Sequence, residues 1–213
     1  SYEDATSVLR CLELGAVDYI EKPQSMKIEA EAQRIRTVLR AAVQSRQRVT
    51  RPAHQSTVNR SPTYLRTPSG HDLIAIGSST GGTEALKVIF QQLPKETPPI
   101  LIVQHIPPVF SSTFADRLNQ ISAIHVKEAR DGEEIQANCA YIAPGGKQMR
   151  VQHRTSKLYI EITDEPPVNR HKPSVDYLFQ SLFKLLPKYN IAAALLTGMG
   201  TDGAAGLVEL KKL

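Results

Sequence analysis

The 213-residue sequence has no apolar run near the roughly 20 residues that a membrane-spanning helix needs. Its two cysteines, Cys11 and Cys139, lie far apart and form neither a disulfide framework nor a metal-ligand pair. The first residues also lack the basic start, apolar core and cleavage site of a secretory signal. These absences exclude a membrane-inserted or disulfide-stapled protein, and they predict a cytoplasmic location without membrane insertion.

Acidic residues are missing from residues 33–71, a stretch that contains eight arginines. Because the eight positive charges of this stretch exceed the net charge of +5 of the whole chain, the remaining residues carry a net negative charge. The basicity belongs to one segment and gives little support to a main domain that binds nucleic acid. Residues 47–71 are rich in Pro, Ser, Thr and Arg and poor in periodic apolar residues, which predicts a basic interdomain linker.

Two helical patterns and a short strand-like run precede this linker. The first helical pattern is followed by an apolar run at residues 17–20 that predicts a strand. Residues 24–46 repeat apolar residues at helical spacing and predict a second amphipathic helix. The apolar face of the first helix consists of Ala5, Val8, Leu9 and Leu12.

From residue 72 onward, strand-like runs alternate with helical runs. This alternation is typical of an α/β fold with a doubly wound, mainly parallel sheet. The region 141–146 and the alternating residues 157–162 together predict an inserted antiparallel hairpin. The predicted strands are 73–76, 100–104, 124–128, 140–143, 157–163 and 192–196, and the predicted helices are 83–93, 111–120, 174–186 and one from about 203.

A glycine-rich turn from Gly77 to Gly82 connects the first of these strands to a helix. Residues 77–81 fit G-x-S-x-G with Ser79 at the centre, the pattern of a strand-to-helix turn that exposes a nucleophilic serine. Such a turn can also hold a phosphate at a helix N-terminus, although neither common nucleotide-binding glycine pattern is present. Ser79 is therefore either a nucleophile or part of a phosphate-binding turn.

Two further polar residues, His105 and Asp202, each follow a predicted strand, so they are expected at the same edge of the sheet as the serine. An imidazole can take the serine proton, and a carboxylate can orient the imidazole. The N–H groups of Thr80 and of residues 198–200 are candidates for stabilising an oxyanion. On local sequence alone, the histidine could instead be structural and the aspartate could cap the helix from about Gly203.

The loop at residues 166–174 ends at Ser174, which is a predicted helix N-cap. Its basic side chains could face an acidic substrate surface or could simply be solvated. These side chains are Arg170, His171 and Lys172, of which Arg170 and Lys172 are the candidates for the substrate cleft.

Five ordered motifs lie in residues 72–213, at 76–85, 104–108, 140–145, 166–176 and 196–206. Together they closely resemble the catalytic domain of the chemotaxis protein-glutamate methylesterases, response regulators that demethylate chemoreceptors. The resemblance implies that Ser79 is the nucleophile, His105 the base and Asp202 its orienting carboxylate, with Thr80 assisting and the Met199 amide in the oxyanion hole. It also implies that the ester chemistry needs no cofactor, that the partners are methyl-accepting chemotaxis receptors, and that glutamine is deamidated.

Residues 15–23 resemble the last strand of a receiver domain, in which Lys22 matches the phosphate-sensing lysine. The resemblance implies that an intact receiver would take its phosphoryl group from the chemotaxis histidine kinase. Its acidic site, with Mg²⁺, would lie on earlier strands outside this sequence. We therefore predict a receiver (flavodoxin-like) fragment at 1–46, the linker at 47–71 and a catalytic domain at 72–213 that is truncated at its C-terminus.

Two other classes of function stay open on the sequence. The first is a non-catalytic module that holds a phosphate or nucleotide in the Gly77–Gly82 turn. The second is a nucleic-acid output domain, suggested by the arginine-rich segment but not supported by any recognition-helix motif.

Overall fold

A computed structural model describes residues 2–14, 16–20, eight positions between 32 and 43, 73–198 and 200–213. The predicted linker at 47–71, Lys22 and Met199 lie outside the described residues. All eight described positions between 32 and 43 are helical, as predicted. Within the described part of the chain, no helix combines the length and the apolar character needed to cross a membrane.

A parallel sheet of five strands forms the centre of the fold, in the order β3-β4-β2-β1-β7, and the other two strands form a separate antiparallel hairpin. In the sheet, Gly77 pairs with Leu195 and Ser78 pairs with Gln104. Residues that directly follow β1, β2 and β7 therefore meet at one edge. The strands are β1 (Leu73–Ser78), β2 (Ile100–Gln104), β3 (His125–Glu128), β4 (Cys139–Ile142), β5 (Gln148–Arg154), β6 (Lys157–Thr163) and β7 (Ile191–Leu195).

Apolar side chains cover both faces of the sheet, which confirms the doubly wound architecture. Leu86 and Phe114 belong to the core cluster on one face, and Phe179 and Met149 belong to the cluster that includes the hairpin on the other. Burial of these side chains is the main favourable term for the fold. The helices are α1 (Tyr2–Glu13), α2 (Gly82–Phe90), α3 (Pro108–Ile121), α4 (Val175–Leu182) and α5 (Ala204–Lys212).

The antiparallel hairpin exists, but its predicted first strand is wrong. Residues 141 and 142 belong to β4 of the parallel sheet, and β6 pairs instead with β5, which the sequence analysis missed. The polar and basic residues of β5 obscure its alternation, in which Met149 and Val151 are buried. A two-residue turn with positive φ at Thr155 and Ser156 closes the hairpin.

The N-terminal helix α1 is present, but the strand predicted at residues 17–20 is wrong. None of the described strands pairs with this run, and a strand needs a neighbour to satisfy its backbone groups. Instead, the ring of Tyr19 packs 5.0 Å from that of Phe110, centroid to centroid. Val8 and Leu12 pack against the same core cluster. The N-terminal segment therefore lies against the α2 and α3 side of the sheet.

Candidate active site

Ser79 occupies the turn between β1 and α2, where glycines allow a close bend. Gly81 has a φ of 77°, in the left-handed region that glycine tolerates best. A Cβ at Gly82 would overlap Gln104 Oε1 and lie 2.7 Å from the Cβ of Ser78. The N–H of Ser79 donates to the carbonyl of Thr197 at 3.0 Å, which fixes the turn to the end of β7.

The structure brings the three predicted triad residues together. Ser79 Oγ lies 3.1 Å from Nδ1 of His105, and Nε2 of that ring lies 2.8 Å from Oδ2 of Asp202. With its proton on Nε2, the ring donates to the carboxylate and leaves Nδ1 to accept the serine proton. The arrangement can therefore generate a serine nucleophile by general-base catalysis.

Asp202 is held by groups from three other segments. Its Oδ1 accepts hydrogen bonds from Ser174 Oγ at 2.7 Å and Asn169 Nδ2 at 3.0 Å, and its Oδ2 accepts one from the N–H of Val175 at 2.7 Å. The interpretation of Asp202 as the cap of α5 is wrong, because the N-cap is Gly203 and none of the described side chains caps that helix. The carboxylate instead lies at the N-terminus of α4, whose dipole favours a negative charge.

Two opposing effects act on the pKa of Asp202. Burial raises the pKa, but hydrogen bonds from His105, Ser174, Asn169 and the backbone of Val175 together lower it by a larger amount. The net result is a pKa well below the ordinary value of 3.8, so the carboxylate is ionised at neutral pH.

We expect this lowered pKa to make folding stability fall in acid. The Asp202 carboxylate takes up a proton near pH 4 in the unfolded chain but not in the folded chain. Its contribution to folding stability is therefore complete above that pH and is lost as the pH falls toward the folded pKa. Urea unfolding at pH 6 and pH 3 measures the loss. The loss should be smaller in Asp202→Asn by about 1 kcal/mol, and equal losses in both proteins would contradict the expectation.

Gln104 fixes the backbones that carry the serine and the histidine. Its Nε2 donates to the carbonyls of Ser79 at 2.9 Å and His105 at 3.2 Å, and its Oε1 accepts from Ser78 Oγ at 2.6 Å. The side chain is buried at the end of β2. The sequence analysis noted this residue only as part of a motif, because its contacts depend on strand register.

Another residue of the 166–174 loop, His171, contacts the triad, and Asn169 has a second partner besides Asp202. The ring of His171 stacks on that of His105 with centroids 3.7 Å apart, and Asn169 bridges Asp202 and Asp176, donating to the latter at 2.6 Å. The sequence analysis assigned neither contact. Asn169 has a φ of 51°, and asparagine is one of the few residues common in that region, so the residue type was the available signal.

A cleft of about 430 Å³ opens beside the triad. Lys172 lines it but is paired with Asp164, 2.6 Å from Nζ to Oδ1, whereas Arg170 lies exposed at the rim. Thr80 also lines the cleft, and its Oγ1 donates to Oδ2 of Asp18 at 2.6 Å. Residues from the N-terminal segment thus form part of the cleft wall.

Two backbone N–H groups of the glycine-rich turn donate hydrogen bonds to carbonyl groups of the protein itself. The N–H of Ser79 donates to Thr197, and that of Gly82 donates to the carbonyl of Ser79 at 2.7 Å. These two groups are therefore not directed at a ligand, which weakens the phosphate-binding alternative. Among the described residues, no group of three or more His, Cys, Asp or Glu is arranged to hold a metal ion.

Known proteins are similar to this chain in sequence. The family described as CheB methylesterase matches residues 74–213. The protein-glutamate methylesterase/protein-glutamine glutaminase of Photorhabdus laumondii is 47% identical over 211 residues, which cover 96% of this chain and 58% of that protein. Its counterpart from Salmonella typhimurium is 44% identical over 209 residues, covering 95% and 58%. The chain therefore spans less than two thirds of these relatives.

A solved structure supports the fold. The crystal structure of the Thermotoga maritima CheB methylesterase catalytic domain matches with a TM-score of 0.64 and 37% identity, covering 68% of this chain and 76% of that one.

Proposed function

Because the chain belongs to the CheB methylesterase family, we propose that it is a serine hydrolase that removes methyl esters from glutamates on the cytoplasmic helices of methyl-accepting chemotaxis receptors. Deamidation of receptor glutamines is the second proposed activity. The observation that carries the proposal is the hydrogen-bonded chain from Ser79 through His105 to Asp202. The proposed location is the cytoplasm, where these receptor helices are exposed.

The reaction begins when Ser79 Oγ attacks the ester carbonyl and His105 Nδ1 takes its proton. Asp202 stabilises the imidazolium through Nε2, and the N–H groups of Thr80 and Met199 are the proposed donors to the oxyanion. The imidazolium then protonates the departing methoxide, which leaves as methanol. His105 next deprotonates a water that hydrolyses the acyl-enzyme, and a glutamine substrate follows the same steps with ammonia as the leaving group.

The exposed basic side chain at the rim of the cleft favours an acidic protein substrate. Arg170 is exposed there, in a turn of positive φ, and we propose that it contacts acidic side chains of the receptor helix. Lys172 is already paired with Asp164, so its proposed role is to hold the rim in place.

The contacts of the N-terminal segment support a regulatory role for residues 1–46. We propose that these residues are a receiver fragment, joined to the esterase part of the chain by the linker at 47–71. The Asp18–Thr80 hydrogen bond and the Tyr19–Phe110 contact place this segment on the wall of the cleft. An unphosphorylated receiver would restrict access to Ser79, and phosphorylation by the chemotaxis histidine kinase, sensed by Lys22, would relieve the restriction.

Asp18→Ala is expected to raise kcat/KM by about 2- to 10-fold, because losing one such hydrogen bond weakens the contact by about 1 kcal/mol and frees Thr80. The rate of methanol release from methylated receptor measures the effect. Asp116→Ala, which removes an exposed carboxylate from α3, is the matched control. An unchanged or lower kcat/KM in Asp18→Ala would contradict restriction by this contact.

Labelling of the nucleophile tests the proposed function directly. The chain is expected to release methanol from methyl-esterified receptor, and a fluorophosphonate should abolish this release while modifying one peptide, the one that contains Ser79. Mass spectrometry identifies the modified residue. Full methanol release from completely labelled protein, or no release from unlabelled protein, would overturn the proposal.

A further inference from the structure

The imidazole of His171 covers one face of the His105 ring. The two rings are stacked, with 3.7 Å between centroids and 5° between planes. Both nitrogens of His105 make hydrogen bonds, one to Ser79 and one to Asp202. Turning the His105 ring about its Cβ–Cγ bond would break both contacts and would drive one ring edge into His171. The stacked ring therefore opposes the rotation that disrupts the triad.

The backbone around His171 is built to hold its ring in place. Val168 and His171 exchange two backbone hydrogen bonds, of 3.1 and 2.8 Å, across a turn with positive φ at both central residues. Below this turn, the fully buried Gln148 donates to the carbonyls of Pro166 and His171 and accepts from the N–H of Ser174. The turn thus has little freedom to move away from the triad.

The same turn acts on the other end of the triad. Asn169 Nδ2 donates to Oδ1 of Asp202, so one four-residue turn restrains both the ring of the base and its orienting carboxylate. A stacked aromatic ring also suits the charge that develops on His105, because the electron-rich face of an aromatic ring attracts a cation.

We propose that His171 is a positioning residue of the esterase reaction, an inference that rests on the proposed function. It acts through His105 by keeping the imidazole plane aligned with Ser79 and Asp202. The property that matters is a flat ring at this position, and proton transfer by His171 is not required.

Two substitutions at this position test whether the stacked ring or the titratable imidazole of His171 is required. His171→Ala is expected to lower kcat for methanol release by roughly 10- to 100-fold with KM within about twofold of wild type, because misalignment affects the chemical step. His171→Phe keeps a stacking ring and is expected to stay within about threefold of wild type. His153→Ala, which removes an exposed imidazole that packs edge-on against Tyr189, is the matched control.

The rate of fluorophosphonate labelling gives a second readout that does not depend on receptor binding. It should fall in His171→Ala and recover in His171→Phe, with thermal unfolding measured for each protein. If a variant is unfolded at the assay temperature, His171→Tyr and His171→Gln replace the ring-retaining and ring-lacking variants.

Each outcome decides one of the two proposals. Wild-type kcat in His171→Ala, with Ser79→Ala inactive, would overturn the role of His171 and leave the esterase proposal standing. Equal losses in folded His171→Ala and His171→Phe would also overturn it. A wild-type protein that is no faster than Ser79→Ala would instead overturn the proposed function.

Discussion

Ser79→Ala is expected to lower the rate of methanol release from methylated receptor by at least about 10⁴-fold, because the substitution removes the attacking oxygen. Without it no acyl-enzyme forms, and the backbone donors can assist only direct attack by water. The loss should appear in kcat, while receptor binding measured by co-sedimentation stays near that of the wild-type protein. Ammonia release from receptor glutamine should fall in parallel.

Ser122→Ala is the matched control for this prediction. It removes a hydroxyl at the carboxyl end of α3, and its only described partner is the N–H of Ile124. We expect this control to keep wild-type activity. Turnover in Ser79→Ala within tenfold of the wild-type protein would exclude a covalent serine mechanism.

Asp202→Asn is expected to lower kcat by roughly 10³- to 10⁴-fold although the side chain keeps its shape. An amide at this position can donate its own hydrogen to Nε2 of His105, which shifts the ring proton to Nδ1. Nδ1 would then donate to Ser79 Oγ, 3.1 Å away, and could not accept its proton. The imidazolium would also lose the adjacent negative charge.

Steady-state methanol release and the fluorophosphonate labelling rate both measure this loss. Asp131→Asn is the matched control, because the Asp131 carboxylate is exposed and accepts a hydrogen bond from Ile162 at 2.9 Å. A small loss of kcat in a folded Asp202→Asn would mean that His105 does not need this carboxylate to hold its tautomer.

The meeting of the three triad residues was predictable because it depends on one rule of parallel sheets. Each residue follows a strand, and the strands lie side by side, so their carboxyl ends share an edge. The G-x-S-x-G spacing and the ordered motifs identified the same serine. These features are local in sequence and need no knowledge of side-chain packing.

The residues that support the triad could not be found in this way. The contacts of Gln104 depend on strand register, and those of Asn169 and His171 depend on how a distant loop folds over the site. The contact of Asp18 with Thr80 joins residues 62 positions apart and has no sequence pattern. Strand β5 was missed because its polar side chains obscure the alternation.

The carboxylate of Asp202 links parts of the fold that are far apart in the chain. It receives hydrogen bonds from the base on the sheet, from the 166–174 loop and from the first N–H groups of α4. Removing any of these partners leaves a buried, ionised group with less compensation. The proposed esterase turnover is thus a sensitive reporter of native assembly, and a proteolytic nick in that loop is expected to abolish it while both hydrophobic cores stay intact.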